Sequence, residues 1–434
     1  MIGFFVLTIL MSLFFLGITY IKNKEINIIV FTFNMLWTII TLIFYINTSN
    51  NSLSAIDEVY FSILGLLFFT NIGFFVFMPS SKKYSNIDKL SEEKVNMRML
   101  TSLLIFCLVL VSIFMRRVAE PLLRGDLTSI RKMIYYAEVG SENSLYSSGL
   151  ETILIQWLAN SLIMAIFVVV TVLFILGLCN YKLLSLSFMA GVLFAVLTGG
   201  RMMLLKLVII LFSAIILFKM KDIRFMIKRS ILHIVRRRKN RLFFTIFFTI
   251  FIALMLTVMR DSSNTDSDGV FTSILGYLSN PILYFSTLLE NNNFTTGPLL
   301  GGGFIGGMLR PIDLVLENLS GASIDFPSDI LVNETQIFLN IGDGVLYNAL
   351  PTMLYAFYRD AGILGICINS LLMTIFISYT YKLFLKQRTV RSMALYILSF
   401  YLVLMGILRW EPSFVQFWLT LLFIWILTRT KKAP

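Results

Sequence analysis

Leu183 to Phe218 reads LLSLSFMAGVLFAVLTGGRMMLLKLVIILFSAIILF, two long apolar runs separated by Thr198-Gly199-Gly200-Arg201. Each run is long enough to cross a bilayer, so the two glycines and the guanidinium are expected at a membrane surface, opening the second helix. A helix N-terminus already carries roughly half a positive charge, and an arginine there adds to it. That arrangement is unfavourable unless an anion lies nearby, and helix N-termini are natural anion sites. Lys206 follows on the same helix, about 7 Å deeper. The stretch predicts a membrane hairpin with a place for a negatively charged group at its turn.

The rest of the chain agrees with this reading. Hydrophobic residues make up 57% and charged residues 14% of the 434, with a mean hydropathy of +0.84. Soluble domains run nearer half apolar and a quarter charged, so a soluble globular protein is excluded. Hydropathy and length predict an all-α, polytopic integral membrane protein with about eleven spans in one membrane domain, residues 1–434. The spans are Ile2–Ile21, Ile26–Ile46, Val59–Met78, Met99–Met115, Thr152–Leu178, Leu183–Thr198, Met202–Phe218, Leu242–Met259, Gly362–Phe384, Met393–Ile407 and Val415–Leu427.

The net charge of +12 does not indicate nucleic acid, because ten of the Lys and Arg residues fall between Lys219 and Arg241. Such juxtamembrane clusters face the cytoplasm and its anionic lipids, which makes 219–241 a basic cytoplasmic loop. The same bias places the N-terminus outside and the C-terminus in the cytoplasm of a bacterial inner membrane. Cys107, Cys179 and Cys367 lie in or beside spans, which leaves no disulfide framework and no cysteine-based metal site. The single histidine, His233, sits in the basic cluster, so neither a histidine-dependent nucleophile nor a histidine-rich metal site is expected. The outer acids lack a tight ligand cluster, Asp266-x-Asp268 reading as a solvated loop, and no cofactor or metal is expected.

Two outer segments are long, 116–150 and 260–349. The second opens polar, turns amphipathic over Ile274 to Leu289, and continues through a glycine-rich stretch from Gly297 to Gly307. A segment this long and this apolar is expected to fold back over the helix bundle as a lid with short surface-lying helices. The outer and embedded cations are Arg116, Arg117, Arg124, Arg131, Lys132, Arg201, Lys206, Arg260, Arg310, Arg359 and Arg409. Arg116, Arg117 and Arg260 directly follow spans and read equally as anchors. Arg131 and Arg310 lie mid-loop. Arg359 precedes Asp360, a sensible N-cap for the next span and a partner for the arginine itself.

Arginine forks match phosphate bidentately. The phosphates of lipid-linked intermediates lie at this depth, and preorganised cations would stabilise the charge that develops as a lipid diphosphate departs. If the ligand is a polyprenyl diphosphate sugar, glycosyl transfer also needs an acceptor hydroxyl to lose a proton, for which a carboxylate is the usual base. The outer candidates are Glu138, Glu142, Asp313, Glu317, Asp325, Asp329, Glu334, Asp343 and Asp360, and the sequence does not choose among them.

Thr198-Gly199-Gly200-Arg201 between two spans resembles the T-G-[GS]-R signature of bacterial oligosaccharide repeat-unit (O-antigen) polymerases. Asn348 with Tyr355-Ala356-Phe357-Tyr358-Arg359-Asp360-Ala361-Gly362 and Gly365 resembles the family pattern that closes the large outer loop. Tyr277 to Pro281, with Tyr284, is similar to that loop's start. The resemblance implies transfer of glycan from a polyprenyl-diphosphate donor to the sugar end of another lipid-linked repeat unit, on the outer face of the inner membrane. It also implies catalytic roles for Arg201, Arg131 and Arg310. Arg359, Asp360, Lys206, Arg260 and Tyr355 become substrate-binding candidates. The implied partners are the polyprenyl-diphosphate-linked oligosaccharide, the lipid bilayer and a chain-length regulator protein. The competing expectation is a transporter, such as a flippase of the same lipid-linked sugars.

Overall fold

The computed structural model describes residues 2–23, 27–50, 56–80, 95–219 and 270–429, apart from 136, 138–139, 142–143, 292–293, 295, 321–324, 343–344 and 349. Its helices, in chain order, begin with α1 (Ile2–Asn23), α2 (Ile28–Asn50), α3 (Asp57–Phe77) and α4 (Met97–Met115). After a 3-10 turn come α5 (Ala119–Leu123), α6 (Leu127–Tyr135) and α7 (Gly149–Thr152), the last running through a π-helical stretch into α8 (Asn160–Ile175). Then follow α9 (Tyr181–Leu197), α10 (Met202–Lys219), α11 (Val270–Glu290), α12 (Gly302–Ser320) and α13 (Pro327–Thr335). A two-residue hairpin, β1 (Leu339–Asn340) and β2 (Leu346–Tyr347), precedes α14 (Thr352–Gln387), α15 (Val390–Met405) and α16 (Val415–Leu427).

Among the described residues, six helices are long and apolar enough to cross a membrane and four more are shorter and apolar. Apart from the small hairpin the described residues are mostly helical, and the apolar helices are those of a multi-pass membrane protein of the all-α class. The expected span Leu242–Met259, most of the basic loop 219–241 and Arg260 lie outside the described residues.

The chain forms two compact units. The first comprises Met1–Tyr84, Ser267–Leu385 and Leu402–Phe417. Here α1, α2 and α3 alternate in direction. Ser12 meets Thr38 at 3.2 Å between α1 and α2, and Asn34 and Asn71 exchange amide hydrogen bonds of 2.8 and 2.9 Å between α2 and α3. Both asparagines are buried, and in hydrocarbon such amides must satisfy each other. α3 and α14 approach through small residues: a Cβ on Gly65 would sit 3.8 Å from Ile366, and one on Gly73 only 1.9 Å from the Thr374 hydroxyl. The equal steps along both helices make them parallel.

The second unit comprises Ser85–Asp266, Lys386–Tyr401 and Trp418–Pro434. α8 is buried on all sides and packs against α4, α9 and α10, which explains why its sequence is apolar all round rather than in a stripe. Gly191 lets α10 come close to α9, since a Cβ there would lie 2.6 Å from Leu207.

Two expectations change. The helices of the second outer segment are not all short, because from Gly302 the glycine-rich stretch opens the 19-residue α12. The span expected from Gly362 belongs to a longer helix that begins at Thr352 and breaks at Ala361 and Gly362, where Gly362 takes φ 60° and ψ −140°. A side chain disfavours that backbone, and glycine adopts it freely.

Candidate functional site

The first unit gathers Tyr355, Arg359 and Asp360 around the α14 break. Residues 352–360 form a short helix whose last carbonyls, at Arg359 and Asp360, accept the Leu299 and Leu300 N–H groups at 2.8 and 3.2 Å. The expected Arg359–Asp360 pair does not form. Arg359 instead grips Glu334 of α13 through Nε to Oε2 and Nη2 to Oε1, both 2.8 Å, with the two side chains 4% and 0% exposed. The same carboxylate accepts the Tyr355 hydroxyl. The remaining guanidinium donors reach Gly297 O at 3.2 Å and the Thr296 hydroxyl at 3.1 Å, and the Phe294 ring lies 4.7 Å from the guanidinium carbon. An ion pair desolvated to this degree holds only with such complete hydrogen bonding.

Asp360 does not cap its own helix. Its Oδ1 accepts from Gly303 N at 2.6 Å and its Oδ2 from Phe304 N at 3.0 Å, so it caps α12, and Asn369 donates to it at 2.7 Å. Gly303 is required by this approach, since a Cβ would stand 2.1 Å from the Ala356 carbonyl. Beyond it, Trp410 donates to Phe304 O and Ser413 to Gly303 O, at 2.9 and 2.6 Å.

Arg310, eight residues into α12, is more open. Its Nη2 meets Asp329 Oδ2 at 2.8 Å, and the guanidinium carbon sits 3.9 Å from the centre of the Phe326 ring. Asp329 keeps 47% of its side chain exposed. Partial burial raises its carboxyl above the ordinary range, Arg310 pulls it back, and Asp313 and Glu317 raise it further. The Asp329, Arg310 and Phe326 group therefore combines a cation, a base and an aromatic face.

The second unit holds Arg201, Lys206 and Arg131. α9 ends with Gly199 at φ 55° and with the Gly199 and Gly200 N–H groups returning to Val196 and Ala195 carbonyls. Arg201 then opens α10, its carbonyl accepting from Leu205 N at 3.1 Å, with its side chain half-buried. The hairpin is as read from the sequence. Lys206 is buried rather than reaching outward, and Arg131 is half-buried on α6. Arg117, expected as an anchor, forms a two-pronged pair with Glu151 at 2.6 and 2.9 Å and also donates to Leu145 O.

Glu334 was legible only as one acid among nine. Its partners lie 21 and 25 residues away, beyond any local pattern. Glu138, Glu142, Asp343 and Asp266-x-Asp268 lie outside the described residues. No protein-family model, curated protein or solved structure matches the chain.

Proposed function

We propose that this protein is a membrane glycosyltransferase that polymerises lipid-linked oligosaccharide repeat units at the outer face of a bacterial inner membrane. One observation carries the reading: Arg201 stands at the head of α10, in a tight hairpin of two apolar helices, so a guanidinium and a positive helix end coincide. That is where the diphosphate of a polyprenyl-linked donor would be held. In the reaction, the bond from the anomeric carbon to the diphosphate oxygen breaks and the lipid diphosphate leaves with the electron pair. A bond from the acceptor hydroxyl oxygen to the anomeric carbon forms, and the hydroxyl proton passes to a carboxylate. Arg131 and Arg310 are further catalytic candidates. Among the acids of the first unit, Glu334 and Asp360 are committed to protein donors, whereas Asp329 is half-exposed beside Arg310. Arg260, Lys206, Tyr355 and a chain-length regulator remain part of this reading as binding group, positioning groups and partner.

The test is Arg201→Ala in a strain lacking the chromosomal copy, with extracted polysaccharide resolved by length. The expected result is single repeat units in place of a ladder, at unchanged protein level. A ladder of normal length overturns the assignment. A flippase is favoured by one feature, the broken helix α14, since interrupted helices frame transporter sites. Loss of the gene would then abolish surface repeat units altogether rather than leave them unpolymerised.

A further inference from the structure

α12 is two-faced. Met308, Leu309, Ile312, Val315, Leu316 and Leu319 are all exposed, Leu319 to 80%, and their spacing puts them on one face of the helix. The opposite face carries Gly303, Gly306 and Gly307 in its first half and Arg310, Asp313 and Glu317 in its second. That face is held by the protein: a Cβ on Gly307 would lie 2.2 Å from the Phe414 backbone and one on Gly306 3.3 Å from Pro327, and Arg310 is bound to Asp329. The apolar stripe is thus left largely uncovered within the described residues, yet with three charged side chains and Pro311 the helix is unsuited to spanning.

The position of the stripe indicates what covers it. Leu300, 84% exposed, bonds through its N–H to the Asp360 carbonyl at the α14 break. From that point α14 exposes Leu364 (69%), Ile368, Leu372 and Ile375 along a membrane-crossing helix, a surface that hydrocarbon must cover. The first turn of α12 is held at the same break, its Gly303 and Phe304 amides on Asp360, and its exposed apolar residues follow from Met308. We propose that α12 lies along the bilayer surface, its stripe seated among the upper acyl chains and its charged face turned to the protein. Such helices bury their apolar face a few ångströms past the headgroups.

The experiment places an environment-sensitive fluorophore on Leu316→Cys in a Cys367→Ser background, Cys107 and Cys179 being buried. Ile312→Cys provides a second stripe position and Glu317→Cys the opposite face. The full-length protein is reconstituted into phosphatidylcholine vesicles carrying nitroxides near the glycerol end or near the terminal methyl of the acyl chain. Shallow nitroxide should quench Leu316→Cys and Ile312→Cys about threefold more than Glu317→Cys, and more than the deep nitroxide does. Quenching of both stripe labels by aqueous iodide overturns the proposal in favour of a solvated helix. Protection from iodide and from both nitroxides overturns it in favour of cover by protein, a second copy included. Stronger quenching by the deep nitroxide overturns it in favour of a spanning helix.

Discussion

The Arg359 guanidinium and the Glu334 carboxylate meet through two 2.8 Å hydrogen bonds, and the Tyr355 hydroxyl closes on the same carboxylate. Residues predicted to face a substrate are thereby joined to an acid that ties α13 to the helix break. Removing one partner strands the other charge in a dry interior, so Glu334→Ala should destabilise the protein by about 3–5 kcal/mol. The double variant Glu334→Leu, Arg359→Met should recover much of that loss. Thermal unfolding of purified protein in detergent tests both, and a Glu334→Ala variant as stable as the parent contradicts the structural role.

Asp360 serves α12 rather than α14. Asp360→Ala should cost about 1 kcal/mol through loss of the cap and leave Asn369 without its acceptor. Hydrogen exchange at the Gly303 and Phe304 amides should accelerate while the exposed second half of α12 changes little. Unaltered exchange at those two amides would exclude the capping role.

Four glycines should differ sharply. Gly303→Ala and Gly307→Ala force a methyl into backbone atoms at 2.1 and 2.2 Å and should each cost about 1–3 kcal/mol or displace α12. Gly297→Ala and Gly3→Ala meet nothing within 4 Å and should be close to neutral. Ranking the four by thermal stability decides the matter, and equal effects would disprove the packing account.

Asp329 gives a pH dependence. Its carboxyl is raised in the folded protein, chiefly by partial burial. The folded state therefore binds this proton more tightly than the unfolded chain, and the associated stability is present below the ordinary carboxylate range and lost as pH rises through the raised value. Melting temperature should fall less over that window in Asp329→Asn than in the parent. Parallel curves would remove Asp329 from the explanation.

The apolar hairpin at Arg201 could be read from the sequence because its signals are local, a run, a glycine turn and a second run. The bundle of α1, α2 and α3 was legible for the same reason. The site around α14 was not. Asp360 precedes an apolar run and so looks like the cap of that run, but the N–H groups it accepts come from residues 303 and 304. The glycine-rich stretch from Gly297 to Gly307 gave no sign of the 19-residue α12, since propensity counts glycine against helix. Close packing on Ala356, Pro327 and Phe414 outweighs that penalty, and it depends on neighbours far along the chain.

The contrast between the two sides of α12 bears on how this gene can change. Leucine, isoleucine, valine and methionine should interchange freely at positions 308, 312, 315, 316 and 319, where only greasiness matters. At 303 and 307 not even one added carbon fits, so a randomised library selected for folded protein should return glycine there almost without exception.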